Sequence, residues 1–157
     1  MNGLPEQGDA WQRAVRDLAA LSRSAVALAS DRAAALPVLS AALQGVAERA
    51  TALRLLGFLD IELTVALVDR VVPVALSHGD ALLVRQVLGR LAFDDAARDV
   101  PPAVWRQLDE TPDDDAYRRL AELLRYLGLT EALQQLCERA LDSDDPAVRE
   151  VAGDFTC

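Results

Sequence analysis

The sequence predicts an all-α protein, and three observations lead to that prediction. Hydrophobic residues make up 52% of the 157 residues but aromatic residues only 4%, so Leu, Ala and Val must form the core. Leucine and alanine are strong helix formers, whereas a sheet protein favours Ile, Thr and aromatic residues. Apolar residues also recur at helical spacing along most of the chain. We expect one domain over residues 9–157, preceded by a flexible tail at residues 1–8.

The first predicted helix runs from residue 9 to about residue 29. Asp9 followed by Gln12 resembles a capping box and indicates the start of the helix. The apolar stripe of this helix is formed by Trp11, Val15, Leu18, Leu21, Ala25 and Leu28. Within such a stripe we expect Trp11 to pack in the core rather than to anchor a partner, since tryptophan is highly buried on average.

Glycines and prolines divide the chain that follows. Pro37 begins or bends a helix, because the residue before a proline avoids the α region. Gly45 breaks the pattern and Gly57 ends the next helix. A further helix is predicted over residues 60–72, and Pro73 should kink or divide it.

The second half of the chain carries clearer helix-start signals. Pro101 and Pro102 are predicted to start a short helix, and Thr111 to cap the next, with Pro112 in its first position. Thr130 is predicted as another N-cap, followed by a stripe of Leu133, Leu136, Cys137, Ala140 and Leu141. Asp145 caps a last helix with Pro146 at its first position and a stripe of Val148, Val151, Ala152 and Phe155. The count is about eight to nine helices.

Two segments of the chain recur. The segment V-R-Q-V-L-G-R-L at residues 84–91 matches V-R-E-V-A-G-D-F at residues 148–155, and L-R-L-L-G-F at residues 53–58 matches L-R-Y-L-G-L at residues 124–129. Internal repeats of helix pairs are typical of stacked helical solenoids.

These residues resemble HEAT repeats, in which an apolar helix and a turn carrying Asp and Pro precede V-R-x-x-A at the head of the next helix. The resemblance covers residues 53–155 with gaps. It implies a short right-handed α-α superhelix of stacked helical hairpins. It also implies that Asp145 with Arg149, and Asp80 with Arg85, tie the turns together, although a surface pair at this spacing contributes only about 0.2–0.5 kcal/mol.

The net charge is −9 and the sequence pI about 4.5. This balance argues against nucleic acid and anionic membrane surfaces as partners and is compatible with a basic protein partner. All 16 basic residues are arginine, which is typical of GC-rich coding and favours a bacterial, actinobacterial origin.

Few residues have the pattern of a chemical site. Cys137 lies on an apolar stripe and is expected to be a small core residue without a disulfide framework, and Cys157 has no prenylation context. His78 lacks a second ligand at metal spacing, so no cofactor or metal is expected. The N-terminus lacks the basic start of a signal peptide, and the apolar run at residues 53–76 is broken by charges. A cytoplasmic location is expected.

Between residues 94 and 115 the sequence holds eight carboxylates and two arginines. Acids in a first helical turn are stabilised by the helix dipole at roughly 0.3–1 kcal/mol each, so capping explains Asp113 and its neighbours. The other interpretation is an acidic contact surface around Trp105, with the partner-binding residues Trp105, Asp109, Glu110, Asp113 and Asp114. A Ca²⁺ site is disfavoured, because D-D-D lacks the spacing of an EF-hand loop.

The sequence has no glycine-rich phosphate loop, C-x-x-C, H-E-x-x-H or nucleophile elbow. The function expected first is therefore a non-enzymatic protein-interaction module or scaffold that binds a basic protein. The alternative is an enzyme or enzyme accessory, since some HEAT-like bacterial proteins of this size act on DNA bases or attach chromophores. That alternative needs a basic face, and Arg118, Arg119 and Arg125 are the residues that would form it.

Overall fold

The computed structural model describes the backbone of residues 4–155 and the side chains of residues 8–155. Within this range it has ten α-helices, one 3-10 helix (Val72–Leu76) and no strand, which confirms the all-α prediction. The α-helices are α1 (Leu4–Ser30), α2 (Arg32–Gln44), α3 (Arg49–Leu56), α4 (Ile61–Ala66), α5 (Val68–Val71), α6 (Ala81–Leu88), α7 (Phe93–Glu110), α8 (Asp114–Tyr126), α9 (Thr130–Leu141) and α10 (Pro146–Asp154). The expected tail overlaps α1, which already begins at Leu4.

The helix count exceeds the prediction because two segments are divided differently. Leu67 leaves the helical region at φ −111° and ψ 8°, and this separates α4 from α5 in the segment predicted as one helix. Pro73 lies in the first turn of the 3-10 helix, which agrees with the prediction that Pro73 divides this segment. Pro37, by contrast, lies inside α2.

The helices from α2 onward pack in pairs and in two rows. Within pairs, α2 contacts α3, the 3-10 helix contacts α6, α7 contacts α8, and α9 contacts α10. Between pairs, α2 packs against α5 and α5 against α7 in one row. In the other row α3 packs against α6, α6 against α8, and α8 against α10. Each helix therefore finds its neighbours close along the sequence.

Leucine, alanine and valine form nearly all of the core. The largest fully buried side chains are eleven leucines and one valine: Leu39, Leu43, Leu53, Leu56, Leu63, Leu88, Leu108, Leu120, Leu123, Leu124, Leu136 and Val71. Among the described residues Tyr117 is the one buried aromatic side chain. Burial of each leucine contributes about 1.5–3 kcal/mol relative to exposure, so aliphatic packing holds the rows together.

The recurring segments occupy corresponding places in the two-row packing. All four lie in or directly after the second helix of a pair, namely α3, α6, α8 and α10. Val84 and Val148 are both completely buried, and so are Leu53 and Leu124. The internal similarity of the sequence thus corresponds to equivalent burial.

Ion pairs link neighbouring helices in both rows. Three pairs join α2 to α4, α5 to α7 and α7 to α9, namely Arg32–Glu62, Asp69–Arg106 and Asp109–Arg139. Three others join α3 to the turn before α6, α6 to α8 and α8 to α10, namely Arg49–Asp80, Arg85–Glu122 and Arg118–Asp154. The hydrogen-bonded pairs join residues 30 to 37 positions apart. Asp80 and Arg85 therefore contact different neighbours instead of each other, and Arg149 donates to the carbonyl oxygen of Ser143. The two residues of each predicted pair form no ion pair with each other, but Asp80 still connects its turn to the preceding one through Arg49.

The predicted caps hold at one helix and fail at three. Asp145 accepts from the backbone N–H of Ala147, with Pro146 in the first turn of α10. Thr111 instead ends α7, and Asp113 caps α8 by accepting from Ala116 at 2.8 Å. Asp9 lies inside α1.

Thr130 is the first residue of α9 and does not cap it. The reason lies in the turn before it, where Gly128 has a φ of +71°. Its N–H donates to the carbonyl of Arg125, and the N–H of Leu129 donates to that of Leu124. This is a Schellman turn, which closes α8 and fixes where α9 begins.

Pro101 and Pro102 lie inside α7 and do not start a helix, so that prediction is wrong. Both prolines remain at least partly exposed, while Val100 and Val104 beside them are completely buried. Burial of this apolar face outweighs the hydrogen bonds that a proline cannot make, at about 3 kcal/mol for an interior position.

Two predicted core residues differ from expectation. Trp11 is 67% exposed, because the first half of α1 extends beyond the packed helices. Cys137 is completely buried in α9 as predicted, but it is disulfide-bonded. Such bonds are typical of oxidising compartments and do not favour a cytoplasmic location. The expected cytoplasmic location stays a prediction. Cys157 lies outside the described residues.

Candidate protein-binding surface

The turns within the helix pairs lie side by side along one edge of the molecule. Arg49, at the start of α3, pairs with Asp80 before α6 at 3.9 Å. Arg119 of α8 contacts the imidazole of His78 in the same turn as Asp80. Asp109, at the end of α7, accepts from Arg139 in the last turn of α9 at 2.7 Å. These contacts connect four successive turns into one surface.

Acidic residues concentrate at the two C-terminal turns of this surface. We call this region the acidic edge and define it by eight carboxylates: Asp109, Glu110, Asp113, Asp114, Asp115, Asp142, Asp144 and Asp145. All eight residues are exposed. The structure therefore brings the predicted acids next to a second acidic turn, D-S-D-D-P, that the sequence interpretation treated only as a helix boundary.

Two carboxylates of the acidic edge are neutralised by arginine. Asp109 pairs with Arg139, whose Nε also donates to the hydroxyl of Tyr117 at 3.0 Å. The hydrogen bond to Asp109 raises the pKa of Arg139. Asp115 accepts from Arg119 at 2.8 Å, and this hydrogen bond lowers the pKa of Asp115. These two carboxylates contribute to the fold as well as to the surface charge.

Two more carboxylates act as caps. Asp113 and Asp145 each accept from a backbone N–H in the first turn of the following helix. Capping therefore explains Asp113, as the first of the two interpretations proposed. The presence of Asp113 is therefore explained without a contact to a partner.

Four carboxylates have neither role: Glu110, Asp114, Asp142 and Asp144. None of them lies within ion-pair distance of an arginine or accepts a capping hydrogen bond among residues 8–155, although the charge of Asp114 acts on Arg118 and Asp114 stands in the first turn of α8. Glu110 is the last residue of α7, and Asp142 directly follows α9. A negative charge at a helix C-terminus is disfavoured by the helix dipole. Stability of the fold therefore gives no reason for these two acids to stand where they do.

Trp105 is not an exposed centre of this surface. Its side chain is partly buried and packs against the core from α7. It lies about one turn before Asp109 on the same helix. Of the predicted set, the structure thus brings Asp109, Glu110, Asp113 and Asp114 together and leaves Trp105 as a supporting core residue.

The arginines that would form a basic face are mostly neutralised. Arg118 pairs with Asp154 at 2.6 Å, and Arg119 contacts both Asp115 and His78. Only Arg125 among the three has no ion-pair partner in the described part of the chain. A continuous patch of free cations, as phosphate binding requires, is therefore not formed by these residues.

Other surface features give less direction. An open groove of about 460 Å³ between α3 and α6 is lined by Leu53, Arg54, Gly57, Phe58, Leu83, Gln86, Val87 and Arg90. Among the described side chains, those of residues 8–155, no group of three or more His, Cys, Asp or Glu is placed to hold a metal ion. No single described helix is long and apolar enough to cross a membrane. Only α1 and α2 taken together have that length and apolarity, and they are separated by a bend of 113°.

Comparisons of the chain with known protein families, with curated proteins and with solved structures found no match. The function is therefore argued from the geometry above.

Proposed function

We propose that this protein is a non-enzymatic, HEAT-like helical-repeat module that binds a basic partner protein through the acidic edge. The repeat part of the proposal is supported by the two rows of helices and by ion pairs that join residues 30 to 37 positions apart. Such a period is within the range of helix-pair repeats. Neighbouring pairs would then form the stacked, right-handed superhelix that the resemblance implies.

The observation that carries the binding part is the group of four unpaired carboxylates Glu110, Asp114, Asp142 and Asp144. Clustered like charges repel one another, and a net charge of −9 adds to that repulsion. An arginine- or lysine-rich surface would relieve this repulsion on binding. Electrostatic complementarity of this kind raises association rates and selects partners by sign.

The test compares two variants with the same change in net charge. In the edge variant the four unpaired carboxylates become amides, by Glu110→Gln, Asp114→Asn, Asp142→Asn and Asp144→Asn. In the control variant four exposed acids elsewhere change likewise, by Asp17→Asn, Asp94→Asn, Glu131→Gln and Glu150→Gln. The probe is a fluorescent deca-arginine peptide, and binding is followed by anisotropy at low and physiological salt.

We expect the edge variant to bind the peptide about tenfold more weakly, if each lost contact contributes about 0.2–1 kcal/mol. The control variant should lose about twofold or less. Equal losses in the two variants would show that only net charge matters and would refute the acidic edge as the site. Binding of a 20-base-pair DNA duplex at physiological salt would refute the choice of a protein partner.

A further inference from the structure

The first half of α1 stands apart from the packed helices. Every described side chain from residue 8 to residue 20 is exposed. The helix turns away from α2 by 113°, and its contact with the core begins only near Leu21 and Ala25. Thirteen residues of regular helix thus extend into solvent.

This extension is amphipathic. Trp11, Val15 and Leu18 lie on one face and are 67%, 42% and 56% exposed. With Ala14, the stripe continues at alternating spacings of three and four residues into Leu21 and Ala25, the spacing of a helix-pairing seam. An isolated helix shorter than about 12–15 residues is marginal in water. The extension is instead continuous with the packed half of α1, and its exposed apolar stripe is what a covering surface would bury.

We propose that this surface is α1 of a second copy of the chain, packed antiparallel across a two-fold axis. Charge supports a second copy. Residues 1–30 hold three acids and three arginines, so the whole net charge of −9 belongs to residues 31–157. The α1 extension is therefore a surface without net charge, through which two such acidic molecules can approach with little repulsion.

The antiparallel direction follows from the same distribution. In a parallel pair both acidic bodies would stand at the same end of the seam. In an antiparallel pair they stand at opposite ends, separated by a helical segment about 20 Å long. That distance exceeds the Debye length of about 8 Å at physiological salt, so their repulsion is screened. Opposed helix dipoles also favour this direction.

The area sets the strength of the dimer. A stable interface buries about 800 Å² on each partner. A contact about 20 Å long between two helices about 10 Å wide offers less than that. We therefore expect a weak, reversible dimer, as in transient interfaces.

Sedimentation equilibrium of the full chain between 5 and 500 µM tests the proposal. The variant Leu18→Glu places a charge in the seam and should weaken dimerisation at least tenfold. The matched control is Ala20→Glu, which adds the same charge to the opposite face of α1 and should leave the dimer unchanged. Trp11 emission should shift to the blue as the concentration rises, measured in a Trp105→Phe background.

Three results would overturn the proposal. The first is a monomer throughout the concentration range. The second is a dimer that Leu18→Glu leaves intact, which would place the interface elsewhere. The third is a monomer whose Trp11 emission shifts on vesicles of phosphatidylcholine and phosphatidylglycerol, which would assign the stripe to a lipid surface.

Discussion

Arg90 connects two helix pairs in a way that a single substitution can measure. Its guanidinium donates to the carbonyl oxygen of Leu56, at the end of α3, and to that of Leu59 at 3.1 Å. The positive charge therefore stands at the C-terminal end of a helix, where the dipole stabilises it. Arg90→Met keeps the side-chain length and removes both interactions.

The expected loss follows from these contacts. A hydrogen bond involving a charged group contributes about 1.5–3 kcal/mol, but the groove is open and water can replace the guanidinium at both carbonyls. We therefore expect Arg90→Met to lower the free energy of unfolding by about 2 kcal/mol in total. For a chain of this size that corresponds to a fall of about 4–8 °C in Tm.

Arg54→Met is the matched control. The Arg54 side chain lines the same groove and lies in the last turn of α3, but no described residue accepts a hydrogen bond from its guanidinium or forms an ion pair with it. Both substitutions make the net charge more negative by one. Urea unfolding followed by far-UV circular dichroism should show a clear shift of the midpoint for Arg90→Met and little for Arg54→Met. Equal shifts would refute the argument, because they would assign the effect to charge or to the groove surface.

Three further predictions concern single positions. Gly128→Ala should destabilise the protein by about 1 kcal/mol, because left-handed backbone strains an L side chain. Gly153 lies inside α10 with free space around it, so Gly153→Ala should instead stabilise the protein by about 0.5–1 kcal/mol. Thr64→Val should raise the urea midpoint, since the buried Thr64 hydroxyl has no hydrogen-bond partner among the described residues and a valine removes it without changing the shape. Asp115→Asn should destabilise the protein at neutral pH but not in acid. The Arg119 hydrogen bond lowers the pKa of Asp115, so its contribution is present above the unfolded pKa of about 4 and disappears as the pH falls through the lower folded pKa.

Each of these predictions has a contradicting result. Changes of the same sign at Gly128 and Gly153 would refute the role of left-handed backbone. A lower midpoint for Thr64→Val would show that the hydroxyl is bonded. If the stability difference between Asp115→Asn and the wild type is the same at pH 7 and pH 3, the effect does not come from the ionisation of Asp115.

Local chemistry explains which helix boundaries the sequence could predict. Asp145 with Pro146 was predicted correctly, because the cap and the first turn are specified by adjacent residues. Thr130 was assigned wrongly as a cap, because the left-handed turn at Gly128 determines where α9 starts. Pro101 was misread for another reason, since buried neighbours on α7 hold the helix together despite the lost hydrogen bond.

The surface was less predictable than the helices. The acids at residues 109–115 were evident in the sequence, but their proximity to Asp142 and Asp144 depends on how α8, α9 and α10 pack. The position of Asp142 directly after a predicted helix could have indicated an acid that does not stabilise the fold, but the sequence interpretation did not use it. Trp11 was expected in the core because burial statistics assume that a helix lies against its own protein.

The ion pairs between neighbouring helices have a mechanical consequence. The hydrogen bonds and ion pairs between side chains in the described chain join residues no more than 41 positions apart, so nothing of that kind braces one end of the molecule to the other. Tension applied to the two termini would act on every contact between neighbouring helices, and the weakest of these contacts would open first. Under tension the protein should therefore lengthen in successive small steps, and the measured extension would give the number of helix–helix contacts that had opened.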